Sequence, residues 1–137
     1  MKTLLFACVH NAGRSQMAAS FFNKLANPAL ARAFSAGTNP AQELHPGVVR
    51  VMQEIGIDLS EVVPQKLTEA LAKRAQMLIT MGCGESCPVI PGVQREDWPL
   101  PDPRGASLDQ IRAIREEIHD RVMQLIQKKG WAYPPFL

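Results

Sequence analysis

Cys8-Val9-His10-Asn11-Ala12-Gly13-Arg14-Ser15 sets a cysteine and an arginine six positions apart around a glycine. A loop wrapped between the end of a strand and the start of a helix points successive backbone N–H groups inward and makes an anion cradle. The helix dipole adds partial positive charge there. Gly13 admits a tight backbone, and Arg14 offers a planar, bidentate fork suited to a tetrahedral oxyanion. The same field favours the thiolate of Cys8, the nucleophilic form. Val9, His10, Asn11, Ala12 and Gly13 would supply cradle backbone. Ser15 can hydrogen-bond the thiolate or cap the helix. His10 can tune Cys8 or face solvent. The bland alternative is a buried core cysteine at a strand end.

Two more thiols, Cys83 and Cys87, stand in Met81-Gly82-Cys83-Gly84-Glu85-Ser86-Cys87-Pro88. If this segment is one helical turn, their Cα atoms lie about 6 Å apart, within disulfide reach. Gly82 and Gly84 make it easy to move. Three thiols on one rim suggest a relay by thiol–disulfide exchange. The rivals are a zinc site drawing on Cys8, His10, Cys83 and Cys87, which a cradle and arginine built for anions disfavours, and two incidental loop cysteines. Asp102-Pro103 precedes the last helix. Its carboxyl can act as a general acid over the cradle or be a turn signal, with Asp97 as local competitor. His45 and His119 look unremarkable.

Positioning these groups falls to alternating strands and helices. Thr3 to Val9 is a continuous apolar run, the pattern of a strand buried on both faces. A helix is expected from about Ser15, with Met17, Phe21, Phe22 and Leu25 on one face and Asn27-Pro28 at its end. Ala31 to Ser35, closed by Gly37, predicts a second strand. Pro46 suits a first helical position, with Val48, Val51, Met52 and Ile55 at helical spacing up to Gly56. A short helix is expected from about Thr68 to Arg74, a third strand over Met77 to Met81, and a short fourth strand around Asp97-Trp98. Ser107 and Gln110 match a capping box. Behind it Leu108, Ile111, Ile114, Ile118, Val122, Leu125 and Ile126 form one stripe up to Gly130. Trp131 to Leu137 is a tail that either packs or does not. The alternation predicts a doubly wound α/β domain, where ligands bind at the carboxyl ends of the strands.

Composition narrows the function classes. The 137 residues match one domain, 1–137, and 46% hydrophobic residues suffice for a core. Fifteen Lys and Arg against thirteen Asp and Glu leave +2, which argues against general nucleic-acid or membrane-surface binding. The longest apolar run is too short to span a bilayer and lacks a cleavage-like site after it. Three cysteines cannot all pair within the chain, which suits a reducing cytoplasm.

The Cys8–Ala18 segment resembles the active-site loop of thioredoxin-coupled-type arsenate reductases, which share the low-molecular-weight protein tyrosine phosphatase fold. The resemblance continues through Phe34-Ser35-Ala36-Gly37-Thr38, Ile55-Gly56-Ile57-Asp58, Cys83 and Cys87 with Pro88, Glu96-Asp97-Trp98 and Asp102-Pro103. It implies a three-layer α/β/α sandwich with a four-stranded parallel sheet. It implies that Cys8 attacks arsenate held by the loop amides and Arg14 while Asp102 protonates the leaving hydroxide. Cys83 then attacks Cys8, and Cys87 attacks Cys83, leaving a Cys83–Cys87 disulfide for an external reductant. Asn11 and Ser35 match positions that shape the loop. No bound cofactor is implied. The reductant would be thioredoxin or a mycothiol-type low-molecular-weight thiol, phosphate and sulfate would compete, and the chain would act as a monomer.

Three departures stand out. Gly13 replaces a second cysteine present in many relatives, and His10 replaces a glycine present in some. Ala19 aligns with an acidic residue of potassium-binding relatives, so no potassium site is expected. The competing readings are a phosphatase for phosphotyrosine or small phosphate esters, which has no use for a resolving cysteine pair, and a non-catalytic oxyanion- or redox-sensing module.

Overall fold

The computed structural model describes residues 1–83, 87 and 89–133. Strand β1 (Lys2–Cys8) is apolar because both its faces are covered. Leu4, Phe6 and Cys8 pack into one core, and Leu5 and Ala7 into a second on the opposite face. Each such large side chain contributes about 1.5–3 kcal/mol on full burial. The first core holds α1 (Arg14–Leu25), α2 (Pro46–Gln53) and α4 (Leu108–Lys129). The second holds the region of α3 (Glu69–Ala72) together with Cys83, Cys87 and Ile90. The result is an α/β/α sandwich.

Four strands, β2 (Ala31–Gly37), β1, β3 (Met77–Thr80) and β4 (Gln94–Asp97), lie in that order and are all parallel. Cys8 pairs with Gly37, and Ala7 with Thr80. The turns after β1 and β3 therefore open on one rim, where doubly wound sheets bind ligands.

Several boundaries differ from expectation. β1 stops at Cys8, so Val9 belongs to the loop. β2 runs on to Gly37. α2 ends at Gln53, which leaves Ile55 outside it and 38% exposed. α3 is a single turn, with Thr68 as its cap. β4 precedes Trp98, and its four residues are exposed, so no alternation announces it. α4 matches its reading: Ser107 Oγ accepts from Gln110 N, Gln110 Oε1 accepts from Ser107 N, and Gly130 closes the helix at φ 73°.

Trp131 packs on Phe22 at 5.8 Å between ring centroids, and its carbonyl accepts from Asn27 N. This start of the tail sits at the far end of α1, about 18 Å of helix from the loop. Positions 134–137 lie outside the described residues.

Glu54 ties α2 to α4 through Arg112 and Arg115, at 2.7 and 3.0 Å. Its hydrogen bond to Arg112, then that to Arg115, hold the carboxyl down at about 2 against partial desolvation. A depressed carboxyl contributes stability above its unfolded value and loses it on acidification. Glu54→Gln is therefore expected to melt lower than the parent at neutral pH. The gap should close between pH 4.5 and about 2, which thermal melts across that range would check.

Candidate active site

Between β1 and α1 the loop carbonyls are held outward one after another. Cys8 O accepts from Thr38 N, Val9 O from Asn39 N, His10 O from Ala41 N, Ala12 O from His45 N and Gly13 O from Met17 N. Asn11 O accepts from Gln16 Nε2. With these carbonyls engaged, the N–H groups of residues 9–15 meet no backbone acceptor among the described residues. This arrangement suits a bound anion.

Asn11 stands at the turning point with φ 51°. Asn tolerates the left-handed region better than most residues. Its orientation follows from one backbone donor. Gln65 N–H reaches Asn11 Oδ1 at 2.9 Å, which makes that atom the oxygen. The amide nitrogen then donates to Ser15 Oγ at 2.8 Å. Ser15 Oγ has one proton, and it is free to point at Cys8 Sγ, 2.9 Å away. Both Asn11 and Ser15 are fully buried, and Cys8 nearly so. The chain from Gln65 to Cys8 thus aims a donor at the sulfur. The side chain of Ser15 meets Cys8 and does not cap α1. Ser35 joins through Gln65, whose Nε2 donates to Ser35 O.

Arg14 opens α1 and is buried. Nη1 donates to Leu100 O at 3.0 Å, and Nη2 lies 3.9 Å from Asp102 Oδ2. Gly82, just past β3, makes room for it: at φ 97°, a Cβ there would fall on Arg14 Nη1. This glycine serves space as well as any mobility. Gly82→Ala would displace the guanidinium and strain the backbone by about 1–2 kcal/mol. Since misplacing a catalytic group by about 1 Å can cost 10²-fold, kcat/KM for the oxyanion substrate should fall by roughly that factor. Circular dichroism should show the fold retained.

The cavity over Cys8 is lined by His10, Ala12, Gly13, Arg14, His45, Asp102, Pro103 and Arg104. Asp102 faces it, 44% exposed at its side chain. Asp97 does not: it accepts from Thr80 Oγ1 at 2.7 Å. Two lining residues carry no signal in the sequence. His45 caps α2, its Nδ1 accepting from Gly47 N, while its own N–H holds the loop. Its place before Pro46 marked a helix start but not the cavity. Arg104 meets His10, Nη1 to Nε2 at 2.6 Å. Among the described residues no Phe, Tyr or Trp side chain lines this cavity.

Cys83 and Cys87 are joined by a disulfide, with Cα atoms 5.6 Å apart. Both are buried, and Cys83 Sγ lies 4.0 Å from the carbonyl oxygen of Ala7, the neighbour of Cys8. The intervening positions 84–86, for which one helical turn was the condition of that spacing, lie outside the described residues, as does 88. With the pair bonded to itself, the zinc quartet is not assembled here. Cys8 is a free thiol.

An anion cradle on the rim of a parallel sheet, with a buried cysteine at its base, defines a phosphatase-like fold. Residues 3–130 match the family of low molecular weight phosphotyrosine protein phosphatases, and the chain belongs to it. Within that family its relatives include a glutaredoxin arsenate reductase of Synechocystis, 35% identical over 131 residues that cover 93% of this chain and 98% of that protein. A thioredoxin-dependent arsenate reductase of Corynebacterium glutamicum superposes with a TM-score of 0.80 at 38% identity. It matches 93% of this chain, which spans 61% of that longer one. A solved arsenate reductase in its phosphate-binding state has a TM-score of 0.80 and 34% identity, covering 93% of this chain and 98% of that one.

Proposed function

We propose that this protein is an arsenate reductase driven by an external thiol. The observation that carries the reading is the Cys83–Cys87 disulfide on the same rim as the Cys8 cradle. A phosphatase needs Cys8, Arg14 and Asp102 but no second and third thiol.

The amides of Val9, His10, Asn11, Ala12, Gly13, Arg14 and Ser15, with the Arg14 guanidinium, hold the tetrahedral oxyanion. Cys8 attacks arsenic, an As–S bond forms, and one oxygen leaves as water after taking a proton from Asp102. Cys83 thiolate then attacks Cys8 Sγ. The As–S bonding pair stays on arsenic, arsenite departs, and a Cys8–Cys83 disulfide remains. Cys87 thiolate attacks Cys83, freeing Cys8 as thiolate and leaving the Cys83–Cys87 disulfide. Two thiols are oxidised and one arsenate is reduced by two electrons, so the balance closes. Ser15 and Asn11 steady Cys8, and Ser35 supports the loop through Gln65.

Both cysteines of the disulfide are buried, so a reductant must gain access to them before exchange can occur. Thioredoxin is the reductant that the relationship favours, with a mycothiol-type thiol as the second choice. Phosphate and sulfate compete for the cradle. A monomer in a reducing cytoplasm fits the odd thiol. No helix among the described residues is long and apolar enough to cross a membrane. Among the described residues the cavity lining holds no Phe, Tyr or Trp to seat a phenyl ring, which weighs against a phosphotyrosine slot.

The test supplies thioredoxin, thioredoxin reductase and NADPH, and in parallel a mycothiol system, and follows NADPH loss. Arsenate-dependent consumption is expected in one of the two. Its absence from both, with no arsenite formed by the pre-reduced protein itself and hydrolysis of an aryl phosphate present, would transfer the protein to the phosphatases.

A further inference from the structure

The segment 100–104 is held against the anion loop at three points. Pro103 packs on Gly13, where a Cβ would stand 2.7 Å from Pro103 Cγ. Leu100 O accepts from Arg14 Nη1. Arg104 Nη1 meets His10 Nε2 at 2.6 Å. Only the third depends on an imidazole, whose ring nitrogens donate or accept according to where the proton sits.

The proton of His10 can be placed. Nδ1 lies 3.2 Å from Asn39 O, a carbonyl that only accepts. The neutral ring therefore carries its proton on Nδ1 and a lone pair on Nε2. Arg104 is always a donor, so the 2.6 Å contact joins a guanidinium to a neutral imidazole. A second proton on the ring would turn Nε2–H against a like charge.

We propose that Arg104 is a positioning residue for Asp102: its bond to neutral His10 clasps the acid segment onto the cradle, and protonation of His10 opens the clasp. Arg104 N–H also donates to Asp102 Oδ1 at 3.0 Å, so displacing Arg104 displaces the carboxylate. The other ionisable groups lining the two cavities that share His10 and Arg104 are Asp102, Glu43, His45, Cys8 and Arg14. Among the described residues, only Arg104 and the Asn39 carbonyl bond the ring. The kinetic arm of the test rests on the reductase reading, and the spectroscopic arm does not.

Pre-reduced protein is mixed with arsenate from pH 5 to 8, and single-turnover arsenite formation is measured. The parent should slow on the acid side. His10→Gln, with an untitratable acceptor near the Nε2 position, should lose that acid limb. Arg104→Ala should lower the rate constant by about ten- to a hundredfold at neutral pH, with half-saturating arsenate unchanged within about twofold. It should also lack the His10 limb. Arg104→Lys, which keeps a donor, should recover most of the rate. Raised half-saturation with the rate intact in Arg104→Ala would make Arg104 a substrate ligand and overturn the proposal, as would a parental acid limb in His10→Gln. Independently of activity, the ring-nitrogen NMR signals of His10 should report a fixed Nδ1–H tautomer in the parent and a mixture in Arg104→Ala. The same mixture in both would equally sink the clasp. If the parent makes no arsenite, the reductase reading fails, while the ring spectrum still decides the clasp.

Discussion

Cys87→Ser, reduced and given excess arsenate, is expected to release one arsenite per protein molecule and then stop. The effect is total on steady-state turnover and nil on the first turnover, because Cys87 enters only after arsenite has left. Peptide mapping should find Cys8 linked to Cys83. The Cys83–Cys87 geometry makes this a sharp expectation. With Cα atoms 5.6 Å apart, both residues buried and Cys83 Sγ beside the Ala7 carbonyl, the second exchange is an intramolecular step between preplaced groups. Removing this attacking thiolate leaves Cys8 trapped, since a disulfide formed on this buried rim has little access to solvent reductant. An unimpaired steady state in Cys87→Ser would take that residue out of the relay.

The second large effect is on proton delivery. Asp102→Asn keeps the side chain's shape and its acceptor for Arg104 N–H, but cannot give up a proton. Arsenite formation should slow by roughly 10²–10⁴-fold, the usual contribution of a positioned general acid. Asp97→Asn should change little, because that carboxylate accepts from Thr80 on the sheet and does not line the cavity. Equal rates in Asp102→Asn and the parent would assign the proton to solvent.

The chemistry of the cradle is visible in the chain, and the reason is local. Cys8, Gly13, Arg14 and Ser15 are neighbours in sequence and in space, and the buried run before them can only be an interior strand. The last helix was equally legible, since its cap, stripe and closing glycine are consecutive.

What stayed hidden is what packing assembles. Gln65 orients Asn11 across 54 positions, and Arg104 meets His10 across 94. No spacing rule connects such pairs. His45 was set aside as a helix-start residue, because a cap and a cavity wall look alike in sequence. Gly82 invited a reading of mobility, whereas the nearest atoms belong to Arg14. β4 is a fully exposed four-residue edge, where neither alternation nor an apolar run can arise.

The central claim is that one chain carries two electrons from its thiols to arsenic through Cys8 and deposits the oxidation on Cys83 and Cys87. The direct measurement reduces the protein fully, adds one equivalent of arsenate without any external thiol, quenches with an alkylating agent, and maps the cysteines by mass spectrometry alongside speciation of the arsenic. One arsenite per protein, Cys83 linked to Cys87 and Cys8 alkylated as a free thiol is the predicted result. Three alkylated cysteines with all the arsenic still arsenate would contradict it.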